Sequence, residues 1–167
     1  GKATLEKQLP TVFRKKYPTY SSFAGQTVKQ IFDDKLNDAT VFNAYTFQSV
    51  LLHNKGQGKF EMIPLPIPAQ IAPAEAFAVG DYNHDGKKDI MVGGNFYGVL
   101  PYENRLDANN GIILLGDGNN HFKTKWPWQS GLFLTGEVRD IKSIIIKGVP
   151  AIMVARNNDS LLFYRNK

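Results

Sequence analysis

The chain has 167 residues, 43% of them hydrophobic and 21% charged, with a net charge of +5 and no cysteine. Apolar content at this level supports a packed core and excludes a disordered chain, and the missing cysteines exclude thiol catalysis, disulfides and Cys-ligated zinc. No run approaches the roughly 18 apolar residues a bilayer span needs, and the one basic run, Arg14-Lys15-Lys16, reads as a solvated helix end, so neither a membrane span nor nucleic-acid binding is expected.

Residues 1–38 read as a helical N-terminal segment or insertion. Leu5, Leu9, Val12 and Phe13 space like one helix face, and Pro10 breaks or restarts it. Ser21 or Ser22 is placed to cap a second helix whose Phe23, Val28, Ile31 and Phe32 fall on one side. From Thr40 onward, β-branched and aromatic residues come in short runs. Turn punctuation at 54–58, 81–86 and 116–120 separates them, which is all-β spacing. The start, Gly1-Lys2-Ala3, has neither a Met nor an apolar signal segment, so the chain reads as a piece of a longer polypeptide.

The strongest chemical signal is Asp81-Tyr82-Asn83-His84-Asp85-Gly86-Lys87-Lys88-Asp89, set between apolar strand-like stretches. Oxygen side chains at positions 1, 3, 5 and 9 with glycine at position 6 suit a hard cation. Ca²⁺ takes about six to eight oxygens, and glycine allows the sharp turn that aims alternate side chains inward. The expected ligands are Asp81, Asn83, Asp85, the Lys87 carbonyl and Asp89. An EF-hand is excluded, because position 12 is Val92 where that motif needs a bidentate Glu. Asp, Asn and Gly are also turn residues, so a tight hairpin connection is the plainer alternative.

This stretch, with the strand and turn Leu51-Leu52-His53-Asn54-Lys55-Gly56-Gln57-Gly58-Lys59-Phe60, resembles the FG-GAP or VCBS repeat of integrin-α-type β-propellers and many bacterial secreted proteins. The resemblance covers residues 46–167. It implies propeller blades, calcium in the loop, and an extracellular binding role in place of catalysis.

An internal repeat is visible without reference to any family. Laying residues 44–105 over 106–167, an offset of 62 with no gaps, gives twelve identities, among them Gly56 with Gly118, Phe60 with Phe122, Gly86 with Gly148, and Ile90-Met91-Val92 with Ile152-Met153-Val154. A period of this length with four candidate strands fits a propeller blade. The strands of the cation-loop copy are expected at 76–80, 90–95, 111–116 and 122–126, with 96–110 a long loop. The predicted fold is therefore mainly β: about two and a half four-stranded propeller-type blades over residues 39–167, behind a short helical segment. Its open edges would be met by missing blades of a parent protein or by a homo-oligomer.

The offset maps Asp81, Asn83, Asp85 and Asp89 onto Ser143, Ile145, Lys147 and Ala151, so the second repeat is expected to keep the turn glycine and lose the chelator. His53, His84 and His121 lie in or beside turns with no H-x-x-x-H pair, and there is no G-x-S-x-G, so no catalytic residue is assigned. Trp126 and Trp128, held by Pro127, are candidate contacts for a glycan or protein partner, and Tyr97 and Tyr102 share that candidacy. The expectation is a calcium-stabilised, non-enzymatic interaction module of a secreted or surface protein, extracellular, periplasmic or on the outer membrane. A non-catalytic accessory portion of a polysaccharide-processing enzyme is the alternative.

Overall fold

The computed structural model describes residues 1–100, 102 and 104–165, with every side chain among them except that of Val12. The chain forms two compact units, Gly1–Tyr45 and Thr46–Lys167.

The first unit holds helices α1 (Lys2–Gln8), α2 (Pro10–Lys16), α3 (Tyr20–Phe23) and α4 (Val28–Phe32), followed by a 3₁₀ turn, Asp33–Leu36. Pro10 restarts the helix: it is the first residue of α2, where its missing N–H breaks no intrahelical bond. The caps differ from those expected. Thr19 and Thr27, not Ser21 or Ser22, cap α3 and α4, each accepting a backbone N–H from Ser22 and Gln30. The side chains of Ser22 and Gln30 bond back to the capping residue, which satisfies two donors per helix start. Phe13, Tyr17 and Ile31 are the buried core of this unit, with Leu5, Phe23 and Phe32 packed around them.

Residues 39–48 have β-branched and aromatic character yet form no regular structure, and Val41, Phe42, Tyr45 and Phe47 are exposed. Strand pairing begins at Val50. β-propensity expresses fit to a paired, half-buried surface, and this stretch has no strand beside it.

The second unit is β. Strands β1 (Val50–Gly56) and β2 (Lys59–Pro64) form a hairpin; β3 (Ala74–Gly80), β4 (Asp89–Gly94), β5 (Ile112–Gly116) and β6 (Phe122–Lys125) form a four-stranded meander; β7 (Val138–Ile146), β8 (Val149–Arg156) and β9 (Leu162–Arg165) form a third sheet. All neighbours are antiparallel. The described residues contain no closed barrel or ring of blades.

The central and third sheets pack face to face, and the central strands carry apolar residues on both faces. One face of the central sheet (Ala76, Ala78, Met91, Ile113) packs on Val138, Ile141 and Val154 of the third sheet, with Leu132 and Leu134 between. The opposite face (Val92, Ile112, Leu114) packs on Leu65 and Ala69 of the connection from β2 to β3. Full burial of side chains such as Leu114, Leu134 and Val154 is worth about 1.5–3 kcal/mol each, making this stack the main source of stability. Close approach demands glycine at Gly94, where an added Cβ would lie 1.7 Å from the carbonyl oxygen of Pro73.

Candidate functional site

The acidic loop, residues 81–88, joins β3 to β4 at one end of the central sheet. Its shape follows from its own side chains. The Asp85 N–H donates to Asp81 Oδ1 and Asn83 Oδ1, both at 3.1 Å, the Gly86 N–H to Asp81 Oδ2 at 2.9 Å, and the Lys87 N–H to Asp85 Oδ1 at 2.9 Å. Asn83 Nδ2 donates to Asp85 Oδ2 at 3.0 Å. His84 and Gly86 take positive φ, 61° and 82°, which turns successive N–H groups inward. The Lys87 N–H and the Asn83 amide hold the Asp85 carboxyl below its ordinary value.

Asp89 stands apart from the other acids. It is 0% exposed, its Oδ2 accepts from the Tyr82 N–H at 2.8 Å and its Oδ1 from the Gly116 N–H at 2.9 Å. It therefore ties the loop to the end of β5, and Gly116 permits the approach, since a Cβ there would lie 2.2 Å from the Lys88 carbonyl oxygen. The fastening role of Asp89 is not legible in the spacing, because the donor on Gly116 comes from a strand 27 residues away.

As a cation site the loop offers hard oxygen donors only, the chemistry Ca²⁺ prefers. Asp81, Asn83 and Asp85 are solvent-accessible, and a carboxylate has about four lone-pair sites, so one N–H on each oxygen leaves capacity for an ion. Among the described residues no three His, Cys, Asp or Glu side chains are gathered as a metal cluster, and the hydrogen bonds above suffice to close the loop. Asp81, Asn83 and Asp85 are brought together, whereas Asp89 is directed into the protein.

The aromatic candidates divide. Trp126 and Trp128 stack, with centroids 4.9 Å apart and planes within 10°. Trp126 packs against the Val92–Leu114 cluster, and Trp128 is 69% exposed. A small cleft of about 130 Å³ lies beside them, lined also by Pro68, Ile71 and Asn110. Tyr97 and Tyr102 are not partners of this plate. Tyr102 is exposed, and Tyr97, past the end of β4 that lies opposite the acidic loop, sits under the Arg105 guanidinium, 4.7 Å from its ring.

That end carries a polar group the sequence reasoning did not single out. Glu137 is buried and accepts from the Tyr97 N–H at 2.6 Å, from Asn157 Nδ2 at 2.6 Å and from Arg139 at 2.9 Å; Asn157 first and then the Tyr97 N–H hold its carboxyl below the ordinary range. With Arg105 and Asp159 it lines a cleft of about 510 Å³. The one available signal was the repeat, which pairs Glu75 with Glu137 and Asn95 with Asn157. Asn95 is also buried and structural: it donates to the carbonyls of Asn109 at 2.8 Å and Gly136 at 3.0 Å, joining β4, the long loop and the start of β7.

No helix among the described residues is long and apolar enough to cross a membrane. No family model, curated protein or solved structure matches this chain.

Proposed function

We propose that residues 46–167 are propeller-type blades of a calcium-stabilised, non-enzymatic interaction module that belongs to a secreted or surface protein and binds protein or glycan. The observation that carries this reading is the loop of residues 81–88, in which Asp81, Asn83 and Asp85 are drawn together at the end of a complete four-stranded sheet. Calcium would be held by these three side chains and the Lys87 carbonyl, with Asp89 anchoring the loop from below. Its role is to screen the acidic oxygens and stiffen the β3–β4 connection.

Calcium sites of extracellular modules bind at about 10⁻⁴ to 10⁻³ M, so at about 2 mM calcium the linked stabilisation is about 0.6–1.8 kcal/mol. Thermal unfolding with and without calcium tests this. The melting temperature should rise with calcium in the natural chain and stay put in Asp85→Ala. An equal rise in both, or none in either, rejects the cation reading.

The accessory role in a polysaccharide-processing protein draws support from one feature, the exposed outer ring of the Trp126–Trp128 stack, since a flat indole is a platform for a sugar ring. Glycan binding that Trp128→Ala abolishes would favour it. A screen with no glycan bound would favour a protein ligand.

A further inference from the structure

The packing of the central sheet on the third sheet is incomplete where their edge strands, β6 and β9, come together. A cavity of about 150 Å³ lies there, with Met91 and Ile113 of the central sheet on one side and Ile152 and Tyr164 of the third sheet on the other. Leu132, from the segment that leads out of β6, completes the apolar lining. The Tyr82 ring also lines the cavity, and the Tyr82 N–H is bonded to Asp89, so one wall is fixed by the base of the acidic loop.

Two cations reach this cavity and no acid does. Lys125 is the last residue of β6 and Arg165 the last of β9. Lys125 is half-buried and Arg165 exposed, whereas Met91, Ile113 and Leu132 are buried, so the charges stand on the solvent side of an apolar interior. Among the described residues neither cation forms an ion pair, and the lining contains no Asp or Glu. Like charges brought to one opening repel, and partial burial of Lys125 weakens the screening by water. An anion seated between them removes that repulsion. The interior imposes a second selection, because apolar space of about 150 Å³ takes a guest the size of one six-membered ring.

We propose that this cavity binds a small monocarboxylate, with its ring-sized apolar body between Met91, Ile113 and Ile152 and its carboxylate between Lys125 and Arg165. A sugar fits poorly, because its hydroxyls would lie against apolar walls without hydrogen-bond partners. The site uses neither the oxygens of the acidic loop nor the Trp126–Trp128 plate. It therefore stands or fails apart from the calcium and glycan readings above.

Titration of the full chain with benzoate, followed by NMR of the side-chain methyl groups, tests the proposal. The methyl signals of Met91, Ile113 and Ile152 should shift saturably. Benzoate should bind at least about tenfold tighter than benzyl alcohol, which keeps the ring and loses the charge, and than acetate, which keeps the charge and loses the ring. Lys125→Gln should weaken benzoate about tenfold and the more exposed Arg165→Gln about threefold, with melting unchanged, since neither side chain belongs to the core. The tripeptide Gly-Gly-Phe presents the same ring and carboxylate at a chain end, and whichever of it and benzoate binds tighter names the source of the carboxylate. No saturable shift with either, benzoate and benzyl alcohol bound alike, or a double variant, Lys125→Gln with Arg165→Gln, that binds benzoate as the natural chain does would each overturn the proposal.

Discussion

Residues 81–88 and residues 143–150 hold the same position in the two repeats, yet one is a polar loop and the other is mostly strand. In the first, β3 stops at Gly80, and an octapeptide with three oxygen side chains folds on its own N–H groups before β4 begins at Asp89. In the second, β7 runs on through Ile146 and pairs with β8 up to Ile146–Val149. The reversal is made by Lys147 and Gly148 alone, at φ 49° and 79°, as a two-residue hairpin turn requires. The retained glycine serves both: at position 86 it turns the loop inward and at 148 it supplies one of two left-handed residues. The difference teaches that the glycine specifies a reversal, and the oxygens around it specify whether that reversal is open and polar or tight and apolar.

The comparison breaks most severely at its base. Asp89 corresponds to Ala151, which needs no partner because no loop hangs above it. Asp89→Ala should cost about 2–5 kcal/mol in denaturant unfolding, because it leaves two N–H donors, on Tyr82 and Gly116, without an acceptor. Asp89→Asn should cost less, since one oxygen remains. Equal costs for the two would show that packing and not the paired donors matters at this position.

Next in size is Gly116→Ala. The 2.2 Å approach to the Lys88 carbonyl forces the loop base away from β5, at about 1–3 kcal/mol in the same measurement. Gly148→Ala, with nothing within 4 Å of its Cβ, suffers only the positive φ and should cost about 1 kcal/mol.

A direct exchange sharpens the contrast. Replacing residues 81–88 by the sequence of 143–150, Ser-Ile-Ile-Ile-Lys-Gly-Val-Pro, keeps the length and should lengthen the β3–β4 hairpin. The exchanged chain should remain folded by circular dichroism and lose any calcium-dependent rise in melting temperature. A rise that survives the exchange would place the ion elsewhere.

The smallest effect is on pH dependence. The Asp85 carboxyl is held below its ordinary value by the Lys87 N–H and Asn83, so the folded chain binds fewer protons there than the unfolded one. Its contribution is present above the ordinary carboxylate range and is lost as pH falls through the lowered value. Asp85→Asn should flatten the acid limb of the stability profile slightly, while Ser143→Ala in the second repeat leaves it unchanged. Glu137, lowered for the same kind of reason, should leave an acid limb in both variants.

Much of the fold was legible in the sequence. The strands of the central sheet lie within two residues of where alternation and turn residues put them, because period-2 patterning and glycine turns are local signals. The offset of 62 anticipated both the equivalence of β4 with β8 and the loss of the polar loop in the second repeat, since side-chain chemistry at aligned positions needs no structure to be compared. The proximity of Asp81, Asn83 and Asp85 was likewise a matter of short spacing. Tertiary structure decided the rest. Asp89 became an inward fastener because Gly116, distant in sequence, presents its N–H there. Thr19 and Thr27 displaced the serines as caps because the reciprocal bonds of Ser22 and Gln30 fix where each helix starts. Trp126 packed against the core while Trp128 stayed in solvent, because the chain leaves β6 extended at Trp126 and then turns into a single helical turn, Pro127–Ser130, that carries Trp128 outward. Residues 39–48 stayed unpaired despite their β-forming composition, because a strand exists only where another strand accepts its hydrogen bonds.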